Sequence, residues 1–113
     1  MKLITKALEK LFTKYPLYSQ DGKMYDAVVI AKFFMPSSSF TWYVTEAAKL
    51  DNGDYEFFGY VDGLEGEFGY FTLSELKSLR GRFGLHVERD MYFDCGKTTL
   101  AKVLNKSQKE MAY

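Results

Sequence analysis

Apolar residues near the N-terminus fall at Leu3, Ile4, Ala7, Leu8, Leu11 and Phe12, the i, i+3, i+4, i+7, i+8 spacing that lays one stripe along a helix. Lys2, Lys6, Lys10 and Lys14 take its other faces. The helix is expected to end before Tyr15-Pro16, because the residue preceding a proline resists helical ψ. Ser19-Gln20-Asp21-Gly22 then supplies a turn. After it the period changes. Residues 27–35, AVVIAKFFM, are apolar on both phases except for Lys32, as suits a strand covered on both sides and central in a sheet. Past the turn Pro36-Ser37-Ser38-Ser39, residues 40–47, FTWYVTEA, are the β-branched and aromatic types that pack on a pleated surface. Asp51-Asn52-Gly53-Asp54 holds the Asn-Gly pair favoured where both central turn residues need positive φ, and residues 55–62 form the next strand.

Gly63, Gly66 and Gly69 punctuate a further reversal into a strand over 68–71. Thr72 precedes Glu75 by three residues, the capping-box spacing in which each side chain satisfies an orphan backbone N–H at a helix start. A short helix therefore follows near 73–80, and Gly81 and Gly84 end it. Residues 85–93, LHVERDMYF, read as a last strand with Val87, Arg89, Met91 and Phe93 on one face. Thr98 or Thr99 can cap a final helix with Leu100, Val103 and Leu104 as its stripe, and the polar tail beyond Lys106 is expected to fray. The whole reads as one α+β domain over residues 1–113: a mainly antiparallel meander of four to five strands, N-terminal and C-terminal helices, and the short helix between, with the helices on one face of the sheet.

Charge changes this picture more than composition does. The formal net charge of the 113 residues is zero, but residues 1–14 hold the four lysines against Glu9, and residues 97–113 hold Lys97, Lys102, Lys106 and Lys109 against Glu110. Between them, residues 51–75 hold Asp51, Asp54, Glu56, Asp62, Glu65, Glu67 and Glu75 and no Lys or Arg. That block repels phosphate. Nucleic acid would have to be met by the terminal helices, through Lys2, Lys6, Lys10, Lys102, Lys106 and Lys109, or by Arg80, Arg82 and Arg89. One cysteine, Cys95, excludes an internal disulfide, no apolar run reaches membrane-span length, and the N-terminus lacks a leader pattern, so a cytoplasmic protein off the membrane is expected.

Candidate chemistry is sparse. His86 is the sole histidine, and Glu88 and Asp90 would share its strand face, a set able to hold a metal or act as a base. A solvated face is the simpler reading, and neither a catalytic residue nor a metal site is assigned. Asp62, Glu65 and Glu67 crowd a glycine loop but lack the EF-hand spacing. The glycines lack both phosphate-loop patterns, and carboxylates stand between them. Cys95 reads as a structural thiol. Trp42, Tyr43, Phe57, Phe58, Tyr60, Tyr70 and Phe71 fall on adjacent strands. An acidic surrounding argues against a nucleic-acid stacking platform and for a core face plus a patch for a protein partner, drawn from Trp42, Tyr43, Phe58, Tyr60, Asp62, Glu65, Glu67 and Tyr70.

Four stretches carry a resemblance: residues 40–46 (FTWYVTE), 57–65 (FFGYVDGLE), 69–76 (GYFTLSEL), and 84–90, with Gly84-Leu85 leading to Glu88-Arg89-Asp90. Together they resemble a family of small uncharacterised bacterial proteins with a domain of unknown function, common on plasmids, conjugative elements and phages. The likeness covers roughly residues 3–95, and His86 and Gly66 stand where relatives tend to have proline. It implies no activity, cofactor or site residue. It does imply a setting, in which a non-enzymatic accessory protein binds a protein partner, including as an anti-restriction or anti-CRISPR inhibitor. Direct nucleic-acid binding is the alternative, and a small enzyme using His86, Glu88 and Asp90 comes third.

Overall fold

The computed structural model describes residues 2–105. Its first helix, α1, is Lys6–Lys14, shorter than the apolar stripe because Thr5 is the N-cap and its side chain accepts the Leu8 N–H at 3.2 Å. Leu3 precedes the helix yet is buried with Leu8 and Phe12. Thus the stripe marks what is covered, and the cap marks where the helix begins.

The expected strand over 27–35 is two pieces, β1 (Val28–Val29) and β2 (Ala31–Phe34). Next come β3 (Thr41–Lys49), β4 (Tyr55–Asp62) and β5 (Gly66–Thr72), then α2 (Leu73–Ser78), β6 (Glu88–Arg89), β7 (Thr98–Thr99) and α3 (Leu100–Val103). The main sheet is antiparallel in the order β5-β4-β3-β2-β6, the expected meander with one added edge. Its centre is β3, not the 27–35 segment. The β3–β4 connection also departs from expectation. Gly53 alone takes positive φ, while Asn52 accepts the Asp54 N–H on its side-chain oxygen at 2.9 Å.

β6 is an edge of the main sheet, whereas β7 pairs with β1 in a separate two-stranded sheet, and the two lie in line. β6 pairs with Phe33 and Phe34, Asp90 N donates to Lys32 O, Gly96 N to Val29 O, and β7 pairs with Val28 and Val29. The chain thus runs along one side of β2 and β1, looping outward over 91–95. The single strand expected over 85–93 shrinks to Glu88–Arg89 because that excursion interrupts it.

Alternation along β3 and β4 sends side chains to two covered faces. Trp42, Val44, Ala47, Tyr55 and Phe57 meet Leu8 and Phe12 of α1 and Leu73 and Leu76 of α2. Tyr43 and Tyr60 meet Leu100 and Leu104 at α3. The helices therefore lie on both faces, correcting the one-faced expectation. A bulge at Thr45 shifts the alternation of β3 by one residue, so that Glu46 pairs with Phe58 and Ala47, paired with Phe57, shares the face of Val44.

At that bulge β1 turns away from β3, and residues 15–20 take its place. Tyr15 O accepts the Ala47 N–H at 2.9 Å. The buried Gln20 amide donates to Val28 O and Thr45 O at 2.8 and 2.7 Å and accepts the Val28 N–H at 2.7 Å. The buried Glu46 carboxylate accepts the Tyr18 and Gln20 N–H groups at 2.8 and 2.9 Å, holding a turn in which Tyr18 has φ 74°. Among the described residues no buried side-chain N or O lacks a partner. The Thr72 cap also differs from a full capping box. Thr72 Oγ1 accepts the Glu75 N–H at 3.1 Å, but the Glu75 carboxylate accepts from the Thr72 hydroxyl rather than from a backbone N–H.

Candidate functional site

Three connections meet at one end of the sheet. Between β2 and β3, Met35 N donates to Phe40 O and Ser38 N to Met35 O, a tight turn with Ser37 at φ 63°. It sets Phe40 two residues before Trp42, and the rings stack with centroids 6.0 Å apart. Between β4 and β5, Gly63 lies beneath the Phe40 ring so closely that a Cβ there would collide with it. Between α2 and β6, Gly81 lies against Met35, where a Cβ would sit 2.7 Å from Sδ. The glycines at 63 and 81 thus let two backbones approach side chains of the first turn.

The α2–β6 loop, Leu79-Arg80-Gly81-Arg82-Phe83-Gly84, is closed by Gly81 N donating to Leu85 O at 2.7 Å. Arg80 donates from one terminal nitrogen to Lys77 O and Leu79 O at 2.7 and 2.9 Å, satisfying carbonyls at the end of α2. Arg82 holds its guanidinium 5.3 Å from the centre of the Phe83 ring. Phe83 has φ 60° and ψ 24° and is 89% exposed. A bulky residue in the left-handed region costs about 1–2 kcal/mol, and here that conformation leaves the ring in water.

The β2–β3 turn and the α2–β6 loop enclose an open cleft of about 430 Å³, lined by Met35, Phe40, Trp42, Leu79, Arg80 and Arg82 with Ser37, Ser38 and Gly81. Its floor is aromatic and aliphatic, both charged groups are guanidinium, and no carboxylate lines it. Ser38 Oγ already donates to Met35 O and accepts the Phe40 N–H. The arrangement can seat an apolar side chain and pair with carboxylates beside it.

The expected partner surface is dispersed. Trp42 is 8% exposed at the cleft floor, whereas Tyr43 and Tyr60 are buried under α3 on the opposite face. Burial pushes the Tyr60 hydroxyl up to about 12, helped by Tyr25 and Asp62, and raises Tyr43 too, helped by Asp62 and Asp90. Phe58 stacks on Phe68 and meets Tyr70, which is half exposed. Asp62 is half-buried, and Glu65 and Glu67 are exposed around the β4–β5 tip. The core claims Trp42, Tyr43 and Tyr60 because both faces of β3 and β4 are covered, so these three do not form an exposed platform.

The lysines are divided as well. Lys2, Lys6 and Lys10 are exposed around α1, and Lys102 is exposed on α3 across the sheet. Lys106 and Lys109 lie outside the described residues. His86, Glu88 and Asp90 do not converge. Asp90 pairs with Lys32 at 3.1 Å, and that ammonium sits 5.8 Å from the Tyr43 and Phe93 ring centres. His86 is exposed and shares a groove with Glu88, Leu3 and Lys77, so only Asp90 is drawn away from the set. Among the described residues no group of three His, Cys, Asp or Glu is placed to hold a metal ion, and no helix is long and apolar enough to cross a membrane. Cys95 is half-buried, its thiol raised chiefly by burial.

Phe83 and Leu79 escaped the sequence reading. Their segment looked only like a helix end, although an aromatic flanked by arginines and glycines in a loop is itself a surface signal. A family model described as "Protein of unknown function (DUF2958)" matches residues 3–111. No curated protein and no solved structure matches the chain.

Proposed function

The chain belongs to this family of unknown function, and from that starting point we propose that it is a non-enzymatic binding module whose cleft grips a protein partner. The observation that carries the reading is the apolar Phe40-Trp42 floor with Arg80 and Arg82 on the cleft's wall, Arg82 carrying the strained, exposed Phe83 ring beside its guanidinium. Aromatic and arginine side chains around a concave apolar seat are the composition of interface hot spots. The mobile-element setting implied by the resemblance would make that partner a host protein, with the chain acting as an anti-restriction or anti-CRISPR inhibitor.

The test is a quantitative pull-down from nuclease-treated lysate. It compares the wild type with Arg82→Glu/Phe83→Ala and with Lys6→Glu/Lys10→Glu. A stoichiometric protein lost only with the cleft variant supports the reading. Capture that ignores the cleft variant sinks it.

One observation favours a second reading. Lys10, Lys14 and Arg89 line one groove beside α1 against Asp90 alone, and Lys2, Lys49 and Lys77 line another against Glu9, which pairs with Lys49. Cations on both sides of one helix suit a phosphate backbone. Recovery of nucleic acid alone, lost in moderate salt and with the α1 variant, would establish this reading in place of the first.

A further inference from the structure

The β4–β5 tip bears the features that the cleft lacks. Leu64 is 91% exposed, between Gly63 and Glu65 at the end of a hairpin with Glu67 just beyond. The cleft offers an apolar floor and two guanidinium groups without a carboxylate. The two elements share a wall, because Gly63 lies under the same Phe40 ring that lines the cleft. Leu64 does not enter the cleft of its own chain, as its exposure shows.

We infer that a second copy of this chain occupies the cleft, each protomer placing Leu64 over the other's Phe40-Trp42 floor and Glu65 and Glu67 against the other's Arg80 and Arg82. Adjacent, complementary features on one surface are what a two-fold, isologous contact requires, since each then meets its counterpart. Phe40, Leu79 and Phe83, all exposed in the isolated chain, are covered in the pair. Direct edge pairing is the poorer route. The outer edge of β5 has no neighbouring strand among the described residues, but Glu65 and Glu67 guard it, and two such edges would bring like charges together. The inference rests on the cleft being a seat for protein, and it names the occupant when no other partner is present. A host partner would then compete with the second copy.

Sedimentation equilibrium of the purified chain, over about 10–500 µM, the range of a small and partly polar interface, is the test. The expected mass rises from the 13.1 kDa of one chain toward twice that value, and less so at high salt, because exposed ion pairs are screened. Leu64→Glu and Arg82→Glu each hold the chain monomeric. Combining Arg82→Glu with Glu65→Arg restores the dimer by reversing the pair. All three positions lie on the surface, and circular dichroism verifies that each variant is folded. A wild type monomeric throughout the range overturns the inference, as does a dimer untouched by Leu64→Glu. A monomer that still captures a protein through Phe83 would leave the partner reading standing, so the two failures are separable.

Discussion

Replacing Gln20 by leucine keeps the side chain's size and removes its amide. The wild-type amide satisfies Val28 O, Val28 N and Thr45 O at 2.7–2.8 Å, at a site only 4% exposed. These three backbone groups stand where β1 parts from β3, so no ladder partner replaces the lost amide. Each buried group left unpaired costs about 1–3 kcal/mol, roughly 3–9 kcal/mol together, while burying leucine returns about 1.5–3 kcal/mol. The middle of those ranges gives an expected net loss of about 4 kcal/mol, a large share of the about 5–15 kcal/mol of a typical domain. Urea unfolding followed by fluorescence of Trp42, the single tryptophan, reads this as a lower midpoint at unchanged slope. Amide exchange at Val28 should quicken more than global unfolding explains. A loss under about 1 kcal/mol would refute the reasoning, for it would mean that water or a relaxed backbone satisfies these groups equally well.

Three other outcomes are expected. Gly59→Ala would drive a Cβ into the Tyr43 carbonyl oxygen across the ladder, so a loss above about 3 kcal/mol is expected in the same unfolding assay. Stability should fall as pH rises from about 10 toward 12. The Tyr60 hydroxyl, raised by burial to about 12, stays protonated in the folded chain while the unfolded chain ionises, so its contribution is complete below pH 10. The loss between pH 9 and 11.5, at most about 2 kcal/mol and less where solvent screens the hydroxyl, should shrink in Tyr60→Phe. Phe83→Asn suits φ 60° better than phenylalanine does, so the melting temperature should hold or rise while partner capture and self-association fall. A drop in melting temperature would show that the ring supports the fold.

Legibility in the sequence followed the range of the interactions. The strand over 55–62, the Thr72 cap and the meander could be read because hairpin pairing and capping act between near neighbours. The break within 27–35 could not, because it depends on Gln20 reaching Thr45 and on residues 15–20 lying beside β3, contacts that leave no periodic trace. Glu46, an acid within an otherwise apolar and aromatic strand, was the visible sign of that buried arrangement. The division of Trp42 from Tyr43 follows from strand alternation, but only the placement of α3 shows that Tyr43's face is covered too. The cleft was the least legible feature. It is assembled from two connections distant in sequence, which meet where Gly81 lies against Met35, and a glycine carries no hydrophobic signal.

The interrupted edge strand gives this domain a place to grow. Residues 88–89 and 98–99 lie along one side of the same neighbouring segment, so the chain leaves the main sheet and pairs again, in the two-stranded sheet, on a single line. At the crest of the excursion Met91 and Tyr92 are 58% and 92% exposed. Added residues there would lengthen a loop already outside the ladder, at an entropic cost that rises only slowly with length, and would leave the sheet's register unaltered. Family members should therefore vary in length at this crest more readily than at any of the three turns around the cleft, and a reporter domain spliced there should leave both the fold and the cleft intact.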